Sequence, residues 1–300
     1  MAIVSTDFLA ATRTAYMALF DQVQGEAQNL WSNVAMSLPA GNKAIVQFNW
    51  LGAPPMPRLW SGELEFGKSF THDYNVTVLK YGVGKRIDRD IYRRDSLGTI
   101  ALHMKQFMAQ AMKWKDYLIF TQVSAGFATV CFDGQYFYDT DHSVGDAGTH
   151  DNVGTAALSA ADPAEYNAAW KAINTAKDDA GQPMGFMPTL LVIHPDNRYT
   201  AKKLIKAERL SSGATNVLAG DVEVLAAPYL ATEGEWHLIA GNEVMKPFIL
   251  VVDEEFSFTP NDGLTSDGVF YREQFEYKVL GQMATCFGDF RMAYASDGSA

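Results

Sequence analysis

Residues Lys43 to Lys85 limit what this chain can fold into more than any other stretch. "KAIVQFNW" alternates apolar and polar residues as a strand does. "LGAPPMPRLW" breaks the pattern with glycine and prolines. "FTHDYNVTVLKYGVGKRI" then alternates again, with Tyr74, Val76 and Val78 on one face. Two extended arms around an irregular connection predict a long hairpin over residues 43–85. An isolated two-stranded hairpin is marginal in water, and this one is too rich in proline at its connection to build a core. The limb therefore needs other structure to lie on.

The flanking segments offer helices and sheet. "TDFLAATRTAYMALFDQVQG" predicts an amphipathic helix capped by Ser5 or Thr6, with Phe8, Thr12, Tyr16, Leu19, Phe20 and Val23 on one side and Gly25 as its stop. A second helix is predicted after Asp95 or Ser96, with Ile100, Met104, Phe107, Met108, Ala111, Trp114, Leu118 and Ile119 on its apolar stripe as far as Gly126. Such a rod is roughly 40 Å long, and its single stripe predicts that one side lies on a sheet. Residues 163–177 and 197–210 predict two more helices, the first opened by Asp162 and Pro163. "PTLLVIHP", "DVEVLAAPYL", "EWHLIAG" and "FILVVDEEF" read as strands among them, a compact α/β unit. "GVFYREQFEYKVLGQMATCFGDFRMAYAS" alternates over a long range and predicts the strands on which the long helix packs. The whole is of the α+β class.

Charge and cysteine content narrow the function. A net charge of −11, with basic residues scattered apart from Lys85-Arg86, Arg93-Arg94 and Lys202-Lys203, argues against sequence-specific nucleic-acid binding, which needs clustered cations. The two cysteines, Cys131 and Cys286, form no zinc motif. No stretch of about 18 uninterrupted apolar residues predicts a membrane span, and the N-terminal sequence has no signal-peptide pattern.

Chemistry concentrates in "CFDGQYFYDTDHSV", residues 131–144. Asp133, Asp139, Asp141 and His142 are residue types that a metal-dependent hydrolase would use. Their spacing fits no catalytic motif. The alternative is architectural: a turn at Asp133-Gly134, an aromatic strand and a hydrogen-bonded corner. We prefer the second reading and expect no catalytic residue, metal or cofactor. Trp50 and Trp60 read as packing anchors, and Arg89 with Asp90 as a salt bridge at the base of the hairpin. "GVGK" at residues 82–85 lacks the rest of a phosphate-loop pattern.

Three stretches together resemble the Mu-like prophage major head subunit family. They are "WLGAPPMPRLWSG" (Trp50, Leu51, Gly52, Pro55, Trp60, Gly62), "IDRDIYRRDSLG" (Ile87, Arg89, Asp90, Tyr92, Asp95, Leu97, Gly98), and the Cys131–Val144 stretch with Asp133, Gly134, Gln135, Phe137, Asp139 and His142. Order and spacing agree over residues 50–144. Ile91, Arg93 and Arg94 stand where the family is more acidic, and Ser143 where it has proline.

The resemblance implies the Hong Kong 97-type major capsid fold. Its parts would be an N-terminal arm (1–42), the extended loop (43–85), a peripheral domain with the spine helix (86–160), an axial domain (161–250) and returning peripheral strands (251–300). It further implies a non-enzymatic major capsid protein of a tailed phage or prophage, a homo-oligomer of hexamers and pentamers. A scaffolding protein and a portal would be separate partners, assembly would take place in the host cytoplasm, and the product would be a virion. Trp50, Leu51, Pro55 and Trp60 would contact neighbouring subunits. Arg89, Asp90, Asp95, Asp133, Gly134, Asp139 and His142 would be structural. An encapsulin-like compartment is the alternative within the same fold. A hydrolase centred on Asp139 and His142 is the alternative outside it.

Overall fold

The computed structural model describes residues 6–51, 71–95, 98–209 and 213–300. The chain opens with α1 (Thr6–Glu26) and a short α2 (Trp31–Val34), followed by β1 (Ala35–Pro39). Strands β2 (Ile45–Leu51) and β3 (Thr71–Thr77) pair antiparallel, from Ile45 opposite Thr77 to Leu51 opposite Thr71. This is the hairpin that alternation predicts, but shorter than residues 43–85: it ends at Thr77, and the rest of the predicted second arm pairs with the long sheet instead. β4 (Leu79–Asp88) continues from it into α3 (Arg89–Arg94), α4 (Thr99–Met112) and α5 (Trp114–Ala125).

After α5 come three two-residue strands, β5 (His142–Ser143), β6 (Thr149–His150) and β7 (Val153–Gly154). Then follow α6 (Ala164–Asn174), β8 (Leu190–Ile193), α7 (Arg198–Ile205), β9 (Glu223–Ala226) and β10 (Trp236–Ile239). The last elements are β11 (Phe248–Asn261), α8 (Asp267–Arg272), β12 (Gln274–Phe287) and β13 (Ala293–Ser296).

Two sheets organise these elements. The long sheet has the order β1-β11-β12-β4, with β1 parallel to β11 and the other pairs antiparallel. Alternation along β11 and β12 buries both faces. Phe248, Leu250, Val279, Met283 and Phe287 join the core formed with Met104, Met108, Ile119 and Phe120 of α4 and α5. Ile249, Val251, Ala284 and Cys286 pack with Val76, Val46, Phe48 and Tyr74 of the hairpin. The base of the limb thus lies on its own subunit's sheet, on the face away from α5.

Helix α1 is also seated within the subunit. Leu9, Tyr16, Phe20 and Val23 are buried. Phe20 stacks on Phe258 at 6.0 Å, and Tyr16 meets Tyr277 edge-on at 5.6 Å. Arg13 Nε reaches the buried Asp262 carboxylate at 3.1 Å.

The predicted long rod is two helices. Lys113, with ψ −9°, opens a turn between α4 and α5, although Tyr117 N–H still donates to its carbonyl at 3.1 Å. Just beyond this break Asp116 is buried, because its carboxylate accepts from Trp31 N–H at 2.8 Å and caps α2.

The second sheet has the order β7-β13-β10-β8-β9. Tyr166, Ile173, Leu204 and Ile205 of α6 and α7 pack on Leu191, Ile193, Trp236, Leu238 and Tyr294. Asp162 accepts from Ala164 N–H at 3.1 Å at the start of α6, the cap its sequence predicts.

Two strands lie elsewhere than sequence reading places them. "FILVV" belongs to the long sheet, because Phe248/Leu250 and Ile249/Val251 need cover on both faces. The last strand, β13, crosses to the second sheet, where Tyr294 enters the α6–α7 core and Ala293 and Ala295 face the other way.

Candidate functional site

The Cys131–Val144 stretch folds into a corner between α5 and β7. Gly134, at φ +87°, makes the turn; Cys131 N–H donates to Gln135 O at 2.8 Å across it. A left-handed φ of this kind suits glycine. The turn directs Asp133 inward, where its two oxygens serve different partners. Oδ1 accepts from the Cys131 thiol at 2.9 Å and from Gln135 N–H at 3.1 Å. Oδ2 lies 2.6 Å from His142 Nδ1. His142 is fully buried, its Nε2 is 3.2 Å from Phe137 O, and its ring lies flat on Phe290 at 3.9 Å and 7°.

The electrostatics follow from this packing. Burial opposes ionisation of Asp133, but the hydrogen bonds from His142 and Cys131 outweigh it and hold the carboxyl below its ordinary range. Burial, reinforced by the Asp133 contact, pushes the Cys131 thiol well up. Potential ligand atoms of Cys131, Asp133 and His142 lie within 4.8 Å of one another. Each is already engaged: the carboxylate accepts a hydrogen bond from the thiol on one oxygen and faces the imidazole with the other. A thiol raised in this way is a poor nucleophile and a poor ligand. The arrangement suits a rigid corner.

Asp139 is not the partner of His142. Its carboxylate accepts from Thr140 N–H at 2.7 Å, and Asp141 accepts from Gln135 Nε2 at 3.0 Å. The structural weight near Asp139 falls on its backbone and on Asn152, a fully buried residue that sequence reading missed. Asn152 Oδ1 accepts from Asp139 N–H at 2.9 Å. Its Nδ2 donates to Phe137 O at 2.9 Å and to Phe290 O at 3.2 Å. Also missed was Arg291, buried between Asp179 at 2.8 Å and Asp289 at 3.3 Å, with its guanidinium over the Phe290 ring. A local sequence signal exists only for Asp289, two residues from Arg291; Asp179 is distant in the chain.

At the base of the hairpin the expected Arg89–Asp90 pair is replaced. Asp90 lies 3.3 Å from Arg93 and 3.5 Å from Arg94, one helical turn away on α3. Arg89 contributes its backbone N–H to Glu273 O at 2.8 Å. The helix is capped by Asp88, whose Oδ1 accepts from Asp90 N–H at 2.8 Å. Asp95 caps α4, taking Thr99 N–H at 3.1 Å and Ile100 N–H at 3.0 Å on its two oxygens. In the hairpin, Trp50 stands opposite His72 and Leu51 opposite Thr71. Pro55 and Trp60 lie outside the described residues.

Comparison with known proteins agrees with this architecture. The family described as Mu-like prophage major head subunit gpT matches residues 9–164, 155–230 and 231–299. The "Mu-like prophage FluMu major head subunit" of Haemophilus influenzae is 30% identical over 145 residues, 48% of this chain and 47% of that protein. The "Major capsid protein" of Escherichia phage Mu is 27% identical over 142 residues, 47% of this chain and 46% of that one. The matched region thus spans about half the length of these curated relatives. Among solved structures, the procapsid of bacteriophage JBD30 superposes with a TM-score of 0.62 at 19% identity, covering 98% of this chain and 76% of that chain. Mycobacterium phage Bobi gives 0.54 at 13% identity, covering 90% and 91%. Likenesses at this level of identity establish the fold, which is the Hong Kong 97-type capsid fold expected from the sequence.

Proposed function

Because the chain belongs to the family of Mu-like prophage major head subunits, we propose that it is the shell-forming subunit of a tailed-phage head. It is a structural protein that encloses DNA without catalysing a reaction. The observation that carries this reading is the capsid fold extending over 98% of the chain. A closed shell needs one subunit to adhere to several neighbours through joints that are weak singly and strong together. Rings of six and five copies, a separate scaffolding protein and a portal complete the proposed assembly in the host cytoplasm, and the virion is its product. The net charge of −11 suits a container for DNA, since a strongly basic wall would grip phosphates.

The loop carries the finer part of the proposal. Trp50, Leu51, Pro55 and Trp60 would anchor it on a neighbour, where a large aromatic side chain buries about 150–250 Å². The alternatives are less well supported. Both curated relatives are phage or prophage head proteins, which disfavours a cargo compartment. The hydrolase reading loses its pair, because His142 binds Asp133 and not Asp139. Sedimentation velocity on the purified protein with its scaffold tests the proposal. Fast-sedimenting particles support it; a monomer at every salt and protein concentration would refute it.

A further inference from the structure

Helix α7 presents a stripe of cations in an acidic chain. Residues 198–209, "RYTAKKLIKAER", hold five of the 24 Lys and Arg residues and a single acid, Glu208, a local charge of +4 against −11 for the whole. Ala201, Leu204 and Ile205 are buried, which turns the other side of the helix outward. Arg198, Tyr199, Lys202, Lys203 and Lys206 are exposed there, on an arc of roughly 140°. Tyr199 is 78% exposed. None of the four cations has an ion-pair partner among the described residues, and nearby Asp196 faces His194 at 3.3 Å. By contrast, Arg13, Arg86, Arg93, Arg272 and Arg291 each face a carboxylate of the same subunit. The lysines suit the negative end of the helix, but Arg198 starts it, at the positive end, where a cation is disfavoured. The helix dipole therefore does not account for the stripe.

We propose that this face of α7 is a site for the phosphate backbone of nucleic acid, through which the shell wall touches the DNA it encloses. Arg198, Lys202 and Lys206 recur at about one helical turn and span about 12 Å of axis. One strand of B-form DNA advances about three or four phosphates over that length, at about 3.4 Å each. Lys203 flanks the row, and the Tyr199 hydroxyl is a donor of the kind that contacts phosphate oxygens. Asn and Gln, which read adenine, are absent from the stripe, so the contact is independent of sequence. Such contacts are weak, with dissociation constants of about 10⁻⁴–10⁻⁶ M, and one stripe on an otherwise acidic subunit holds DNA loosely. The even spacing favours a regular polyanion over an acidic protein surface. The proposal rests on the shell reading, which supplies the DNA, and adds where the wall meets it.

The salt dependence of DNA binding tests it, read by anisotropy of a labelled mixed-sequence duplex with the unassembled subunit. With a log–log slope of about −0.9 per phosphate contact, four cations predict that affinity falls on the order of 100-fold over a roughly fourfold rise in KCl. Lys202→Gln, Lys203→Gln and Lys206→Gln together leave Arg198 and should reduce that fall to about fourfold, with the melting temperature unchanged. Lys80→Gln with Lys278→Gln removes two exposed lysines of the long sheet and should leave the salt dependence as it is. No binding by the unsubstituted subunit at low salt, or an undiminished salt dependence in the triple variant, overturns the proposal. So does a triple variant that keeps DNA binding and loses particles in sedimentation, which assigns the stripe to an acidic surface of another copy. If the triple variant does not fold, amine-reactive labelling of the unsubstituted subunit decides. The duplex should protect Lys202, Lys203 and Lys206 several-fold and leave Lys80 and Lys278 reactive; equal protection of all five refutes the site. Particle formation by the unsubstituted protein is a separate readout: its failure ends the shell reading, while the salt dependence still decides the site.

Discussion

Replacing His142 by alanine should cost far more stability than replacing Asp139, although both belong to one fourteen-residue motif. The side chains of His142 and Asp133 are 0% and 6% exposed and 2.6 Å apart. Removing one partner of a buried pair strands the other, at a cost of about 3–5 kcal/mol. The stacking of the imidazole on Phe290 adds about 0.5–1.5 kcal/mol. The Asp139 carboxylate holds only the exposed Thr140 N–H, which water can replace, so its loss should cost about 1 kcal/mol or less.

Each kcal/mol moves the midpoint of a chain somewhat smaller than this by about 2–4 °C. His142→Ala should therefore lower the melting temperature of the unassembled subunit by roughly 10 °C, and Asp139→Ala by no more than about 4 °C. The acid limb supplies a second check. Asp133 has a lowered folded pKa, so the stability it confers is present above its unfolded value of about 3.9 and is lost as pH falls through the folded value. The gap between the parent and His142→Ala should narrow below about pH 4. Calorimetry across pH measures both effects. Equal losses for the two variants at pH 7 would refute the account of this corner.

Three further outcomes are expected. Burial, then the charges of His142 and Arg291, pushes His150 down to about 4; the unfolded chain binds the extra proton between about pH 6.5 and 4, so stability should fall on acidification through that window by on the order of 3 kcal/mol, and His150→Gln should flatten the slope. Both cysteines are buried, and burial pushes Cys286 up to about 12, so the native subunit should resist a thiol reagent at pH 8 and show two reactive thiols per chain once unfolded. Trp60→Ala should leave the melting temperature of the unassembled subunit nearly unchanged while reducing the yield of particles in a sedimentation assay; a loss of about 3–5 kcal/mol with normal assembly would mark a core residue instead.

Local patterns made much of this fold legible. Alternation located β2 and β3 of the hairpin, but not the point after Thr77 where the second arm leaves it for the long sheet. Helical spacing located Tyr16, Phe20 and Val23 on the buried face of α1 and Ile100, Met104, Met108, Ala111 and Ile119 on that of the spine, but Trp114, read on the same stripe, is exposed. Asp95 and Asp162 could be read as caps because a cap acts within a few residues. What escaped depends on contacts between distant segments. The break at Lys113 lies beside Asp116, which is drawn in by Trp31. The seat of the hairpin on Ile249 and Cys286 is a pairing of elements some 200 residues apart.

The candidate site divides in the same way. The turn at Asp133-Gly134 was visible in the order of residues, whereas the aromatic strand expected after it is only an isolated bridge between Val130 and Tyr136. The choice of Asp133 over Asp139 as partner of His142 was not, because it depends on where the turn aims a side chain. Asn152 and Phe290 close the corner from positions that no motif marks.

The central claim, that this chain builds a closed container, is tested most directly by electron microscopy of the purified protein, alone and with the proposed scaffolding protein. The account predicts shells whose walls resolve into rings of six and five copies, with the extended loop of one subunit against the next. A uniform population of isolated subunits under the same conditions, or particles in which the loop touches only its own subunit, would contradict it.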